Sequence, residues 1–238
     1  FQRLNNEKKQ IFVWCGLLYL NYRNVINKTS RLNSGYWLFF LLLQWSYGAD
    51  DTESWASIGF ETKLPYSLNL EFEQELRLKD QLATFKQTFS EVSLSYPVFD
   101  GFKIQVPFRY ITYKDEIKQR LSFSGSYKYS FKPVSLKHRT KYQRTYEKGE
   151  IPEELIRNKF SIMYRLNKKI EPYVSGELFH LYNTDNDQFD EYRVSLGVAV
   201  DLPGKNSIKI FYIYKKEDIT KSSPDEVNVF GLGYKYKL

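Results

Sequence analysis

The sequence predicts an all-β fold: a transmembrane, antiparallel, up-and-down β-barrel of about ten strands, with twelve as the alternative. Three observations carry this. From Trp55 onward apolar and polar residues alternate with a period of two, in segments separated alternately by tight turns and longer polar loops. About twelve residues at about 3.3 Å each, tilted by about 40°, rise roughly 30 Å, the thickness of a hydrocarbon core, whereas sandwich strands usually hold only about 5 to 6 residues. The last strand sets Phe230, Leu232, Tyr234, Tyr236 and Leu238 on one side and Val229, Gly231, Gly233, Lys235 and Lys237 on the other. That is the pattern of a terminal outer-membrane strand, whose aromatic-rich end is the address read by the barrel assembly machinery; the usual last residue is Phe, and here it is Leu238.

The chain opens without Met, and residues 1–27 read as an upstream or unstructured extension, with translation beginning near Val25 or Leu32 at a non-ATG codon. Residues 28–48 read as a secretory signal. Lys28 and Arg31 supply its positive start, Tyr36 to Trp45 its apolar run, and Ser46 and Gly48 the small residues before a cut at Ala49. That run is too short for a spanning helix, which needs roughly 20 residues; a short buried helix is the bland alternative. The barrel is then residues 49–238.

The leader carries most of the basicity. Arg3, Lys8, Lys9, Arg23, Lys28 and Arg31 against Glu7 give a net of +5, so only +2 of the chain's +7 remains on the mature part. A nucleic-acid partner, which a sequence pI of about 9.1 would suggest, loses its support. The single cysteine, Cys15, is also in the leader, and a mature chain without thiols suits an oxidising periplasm.

Eleven segments begin near residues 55, 68, 85, 102, 119, 134, 155, 170, 190, 207 and 227. The second shows the alternation best: Leu68, Leu70, Phe72, Leu76 and Leu78 against Asn69, Glu71, Glu73, Glu75, Arg77 and Lys79. Apolar rows follow at Phe102 to Tyr110, Leu121 to Phe131, Ile156 to Leu166 and Tyr192 to Leu202. Tyr96, Tyr110, Tyr129, Tyr142, Tyr146, Tyr164, Tyr182 and Tyr236 sit near segment ends, where an aromatic girdle meets headgroups. Tight connections at Pro97 to Gly101, Lys132-Pro133, Asn167 to Lys169 and Pro203 to Asn206 are assigned to the periplasmic side. The longer ones, Tyr113 to Lys118, Glu147 to Glu154, Asn183 to Gln188 and Asp218 to Glu226, are assigned outside. Single-chain bacterial barrels have an even strand number, so Trp55 to Leu64 is expected to be an added half-strand or inner segment on ten strands, or a further strand makes twelve.

With the sequence pieces in order, the chain resembles the Bacteroidota outer-membrane proteins grouped as domain of unknown function 2490. The resemblance runs from Trp55 to Leu238. It rests on Trp55, Glu73-Gln74-Glu75-Leu76-Arg77, Phe108-Arg109-Tyr110, Arg139-Thr140-Lys141-Tyr142-Gln143, Leu155-Ile156-Arg157-Asn158-Lys159, the Pro172 to Phe179 run and Gly231-Leu232-Gly233-Tyr234. It implies an outer-membrane barrel and no assigned activity.

If the apolar rows face lipid, the other rows line the lumen. One wall is acidic, with Glu71, Glu73, Glu75 and Glu91, and Glu177 further on. Arg77, Arg109, Arg139, Lys141, Arg157, Lys159, Arg165 and Arg193 supply positive charge. Opposite charges across a narrow interior should pair, because an unpaired buried charge is costly. The bland reading is a salt-bridged plug, and the sharper one a selective pore or pocket in which Arg and Lys hold an anionic solute. For catalysis only His138 and His180 are available; His138 has no carboxylate beside it, His180 lies near an outer strand end, and both read as packing or interfacial residues. The sequence shows no metal-ligand cluster, phosphate-binding glycine loop or nucleophile elbow. The expected protein therefore lies in the bacterial outer membrane with lipid, the assembly machinery and a small solute as partners, without cofactor or nucleic acid, as a structural element or narrow small-solute conduit. The alternatives are an outer-membrane lipid-modifying enzyme and a soluble periplasmic ligand-binding β-protein.

Overall fold

The computed structural model describes residues 50–182 and 188–238. The extension expected over residues 1–27, the signal expected over 28–48 and Cys15 lie outside the described residues. The described residues form a closed barrel of eleven strands: β1 (Asp51–Lys63), β2 (Asn69–Lys79), β3 (Thr84–Phe99), β4 (Phe102–Thr112), β5 (Ile117–Phe131), β6 (Val134–Glu147), β7 (Glu153–Tyr164), β8 (Ile170–Tyr182), β9 (Gln188–Leu202), β10 (Asn206–Glu217) and β11 (Asp225–Lys237). Each strand pairs antiparallel with the next in sequence, so local hairpins build the whole wall but one seam.

The class is the one the alternation predicts; the count, eleven, falls between the two expected. Trp55 to Leu64 is neither a half-strand nor an inner segment. Its residues up to Lys63 belong to a full wall strand, paired with β2 on one side and β11 on the other. An odd count leaves the first and last strands running the same way, so β1 and β11 close the barrel as a parallel pair from Asp51↔Val227 to Glu61↔Lys237. Backbone bonds clasp both ends of this seam: Asp50 N–H donates to Glu226 O at 2.8 Å, and Leu238 N–H to Glu61 O at 2.7 Å. The seam is directly testable. Cα partners Ala56 and Leu232 both face outward, and adjacent strand partners lie within disulfide reach. Ala56→Cys with Leu232→Cys, in a Cys15→Ser background, is expected to give an oxidation-dependent shift in gel migration. A ten-stranded closure through β2 would give none.

The period of two divides the wall as expected. Even-numbered residues of β1 to β4 face out, and the parity then follows the register around the barrel. The outward row is largely apolar and uncovered, with Phe123 53 %, Phe230 50 % and Ile210 59 % exposed. The tyrosines assigned to a girdle are all on this outer row. The inward row is polar and largely buried. A chain that buries Glu53, Gln143, Glu177 and Lys215 while exposing rows of Phe, Leu and Ile is inside out for water and right way round for hydrocarbon.

Strand lengths run from 11 to 16 residues. The connections after β3, β5 and β9 are tight and share one end with the turns after β1 and β7. The four-residue turn after β2 shares the opposite end with the longer loops. Positive φ at Gly101 (77°) and Gly204 (75°) lets the chain reverse within two or three residues.

Candidate functional site

Strand parity decides which side chains meet inside. β5 contributes three small buried residues, Ser122, Ser124 and Ser126, opposite Gln143, Lys141 and Arg139 of β6. The small row leaves space for the long one. Facing strands behave likewise, with Ser175 and Ser195 buried beside the Glu177 and Arg193 that they flank.

Twelve of the thirteen charged residues expected in the lumen line one internal cavity of about 610 Å³: Glu71, Glu73, Glu75, Arg77, Glu91, Arg109, Arg139, Lys141, Arg157, Lys159, Glu177 and Arg193. The thirteenth, Arg165, lies just past the end of β7 in a turn, where it holds Glu171 at 3.0 Å; it is a rim residue because the strand ends before it.

The pairs are specific. Glu177, 5 % exposed, is shared by Arg139 and Arg157 at 2.9 Å each and by Lys159 at 3.7 Å. Arg109 donates to Glu91 at 2.7 Å and Arg77 to Glu75 at 2.6 Å. Arg193 pairs with Glu191, and Lys235 with Glu71. Glu73 and Lys141 line the same cavity and, among the described residues, make no ion pair.

Four of these guanidinium groups are also stacked on aromatic rings that face inward. Arg157 lies 4.3 Å and Arg193 4.4 Å from the Phe179 ring; Arg193 is 5.4 Å from Trp55; Arg77 is 3.6 Å from Trp55 and 5.3 Å from Phe89; Arg109 is 3.5 Å from Phe89. The result is an alternating stack, Arg157, Phe179, Arg193, Trp55, Arg77, Phe89, Arg109, which links β7, β8 and β9 to β1, β2, β3 and β4 across the barrel. Each cation–π contact contributes about 0.5 to 2 kcal/mol, toward the upper end where the cation is shielded from water. Arg77, Arg109 and Arg193 each keep a carboxylate, Glu75, Glu91 and Glu191, and Arg157 shares Glu177 with Arg139 and Lys159.

A second knot sits beside the seam, toward the longer loops. Glu53 accepts from Lys215 at 2.8 Å, Lys86 at 2.7 Å and the Trp55 indole N–H at 2.8 Å. Behind it Trp55, Ile213, Val227 and Val229 pack with Phe211 into an apolar filling. Gly231 makes room for it: a Cβ there would lie 1.9 Å from the Phe211 ring, which rests against the bare backbone.

Sequence reasoning missed Trp55, Phe89 and Phe179 as lumen residues, together with Glu53, Lys215, Lys137, Tyr173 and Lys209. The signal was present. Each aromatic of the stack lies two residues from a glutamate on its own strand, and hence on the charged side: Glu53 and Trp55, Phe89 and Glu91, Glu177 and Phe179. His138 and His180 are both on the outer row; His180 packs edge-on against Phe189 with ring centroids 5.0 Å apart. Among the described residues no His, Cys, Asp and Glu group is arranged to hold a metal ion.

Comparison with solved structures finds two porins and a further outer-membrane protein. The NanC porin aligns with a TM-score of 0.50 at 10 % identity, over 75 % of this chain and 93 % of that one. The KdgM porin gives 0.43 at 12 % identity, over 66 % and 80 %, and the outer-membrane OmpT of Vibrio cholerae 0.38 at 11 %, over 63 % and 55 %. At such identity the likeness to NanC is one of fold: a closed barrel of the outer-membrane type. No curated protein matches. The family described as "Protein of unknown function (DUF2490)" matches residues 52–226, from the start of β1 into β11, and the chain belongs to it.

Proposed function

We propose that the protein lies in the bacterial outer membrane and is a narrow, non-enzymatic conduit for small solutes, its midsection constricted by the arginine–aromatic stack. The observation that carries this is the space of about 610 Å³ left inside a closed barrel whose outer wall is largely apolar. The porin-like fold supports it. The aromatic C-terminal strand supports assembly by the barrel machinery, and the outward rows support contact with outer-membrane lipid. That both histidines lie on the outer row supports the non-enzymatic reading.

The sign of the lumen gives the conduit a preference. Twelve cationic side chains and eight carboxylates line the cavity. An excess of positive charge in a confined space raises the local concentration of anions. Refolded protein in a planar bilayer under a tenfold KCl gradient is expected to show small unitary steps and a reversal potential on the chloride side. Absence of any conductance from protein that migrates heat-modifiably would overturn the conduit. Release of the native protein with soluble periplasm, rather than in the outer-membrane fraction, would overturn the location.

A further inference from the structure

The ion pairs neutralise the middle of the lumen and leave one end unbalanced. Toward the tight-turn end a cavity of about 330 Å³ is lined by Lys137, Arg139, Lys159 and Lys209, with Tyr173 and one carboxylate, Glu171. Glu171 is already held by Arg165 at 3.0 Å, and Arg139 and Lys159 share Glu177 with Arg157. Lys137 and Lys209 make no ion pair among the described residues, and Arg139 keeps a buried Nε–H without an acceptor. Four converging cations outnumber the carboxylates they meet, Glu171, the shared Glu177 and, facing Lys209, Glu73; they repel one another, and a polyvalent anion between them removes that repulsion.

A glycine makes room for the aromatic member of the lining. Tyr173 lies over Gly197, where a Cβ would come within 2.5 Å of its hydroxyl. Lys209 Nζ sits 4.8 Å from the centre of that ring, its ammonium leaning on the aromatic face. From these observations we propose that this pocket is a binding station for a small polyanion, a solute carrying two or more phosphoryl or carboxylate charges, seated between Lys137 and Lys209 and facing the fork of Arg139. The proposal deepens the conduit reading and rests on it in one respect, that solute reaches the station through the lumen.

Binding and conduction are measured separately. Inorganic pyrophosphate and citrate are titrated calorimetrically into the detergent-refolded full barrel, and each is then added to the bilayer chamber on either side. Wild type is expected to bind at least one of them, with current block stronger from one side. Lys137→Gln with Lys209→Gln is expected to weaken binding by at least about tenfold, the loss that follows from removing charge-assisted hydrogen bonds. Lys137→Arg with Lys209→Arg is expected to restore it. Pyrophosphate alone binding marks a phosphoryl site, and citrate alone a carboxylate site. Binding without conductance would refute the conduit and leave the station standing. Conductance with no binding of either probe, or binding that the double Gln variant leaves unchanged, would overturn the station. Should the Gln variant fail to fold, the Arg variant and the loss of wild-type binding between low and high KCl decide: binding indifferent to salt overturns the proposal.

Discussion

Glu177→Gln is expected to destabilise the barrel by about 3 to 5 kcal/mol, the cost of removing one partner from a buried ionic cluster and leaving the others uncompensated. The reason is stoichiometric. Three cations, Arg139, Arg157 and Lys159, converge on this one carboxylate, and it is 5 % exposed. Glutamine keeps the shape and one acceptor oxygen while removing the charge, so the three cations face one another and the neighbouring Lys141 with Glu91 as the remaining nearby anion. The measurement is the urea midpoint of the heat-modifiable folded band, wild type against variant. Glu73→Gln is the contrast. Glu73 makes no ion pair among the described residues and stands in a row with Glu71, Glu75 and Glu91. Its neutralisation is expected to change stability by less than about 1 kcal/mol, with relief of like-charge repulsion favouring the variant. Equal losses at both positions would mean that total lumen charge, rather than the Glu177 cluster, holds the wall together.

The two glutamates show what the sequence discloses. Both alternate with leucine or phenylalanine on their strands, so parity alone turns them inward, and it did the same for ten more of the charged positions. Arg165 went astray because parity says nothing of where a strand stops. Which cation meets which carboxylate depends on register across strands, which local pattern does not specify. Glu177 gathers a partner from β6 and two from β7 only because Lys159 and Glu177 are Cα partners and Arg139 lies one strand beyond. The strand count was hidden for a similar reason. Eleven segments were countable, but a parallel closure between the first strand and the last leaves no mark on either. Trp55, Phe89 and Phe179 receive no face in the sequence analysis, although they carry the parity of the charges. The pieces behind the family resemblance, Trp55, the Glu73 to Arg77 run, Arg109, Arg157 and the run ending at Phe179, look unrelated along the chain. In the barrel their inward members supply part of the ion pairs and five of the seven members of the stack.

In the conduit proposed above that stack is the constriction, and its central member offers the second large effect. Trp55→Ala is expected to raise the unitary conductance several-fold, because among the described residues the indole joins the two halves of the stack, with Arg77 at 3.6 Å and Arg193 at 5.4 Å. Its removal empties the midsection of a cavity otherwise about 610 Å³ in volume, and a pore's resistance concentrates at its narrowest point. The variant should fold. Arg77 keeps Glu75 and Arg193 keeps Glu191, so neither guanidinium is orphaned, and water can enter the space that a closed core would leave as a void. The loss of stability should thus fall below the about 3 to 5 kcal/mol typical of Trp→Ala in a dry core. Trp55→Phe separates the two roles of the side chain. It keeps the aromatic face between the arginines while releasing the hydrogen bond from the indole to Glu53, so conductance should remain near wild type while the urea midpoint falls. If Trp55→Ala conducts no better than wild type although it folds, the constriction lies elsewhere, and the knot of Glu53, Lys86 and Lys215 toward the longer loops becomes the next place to open.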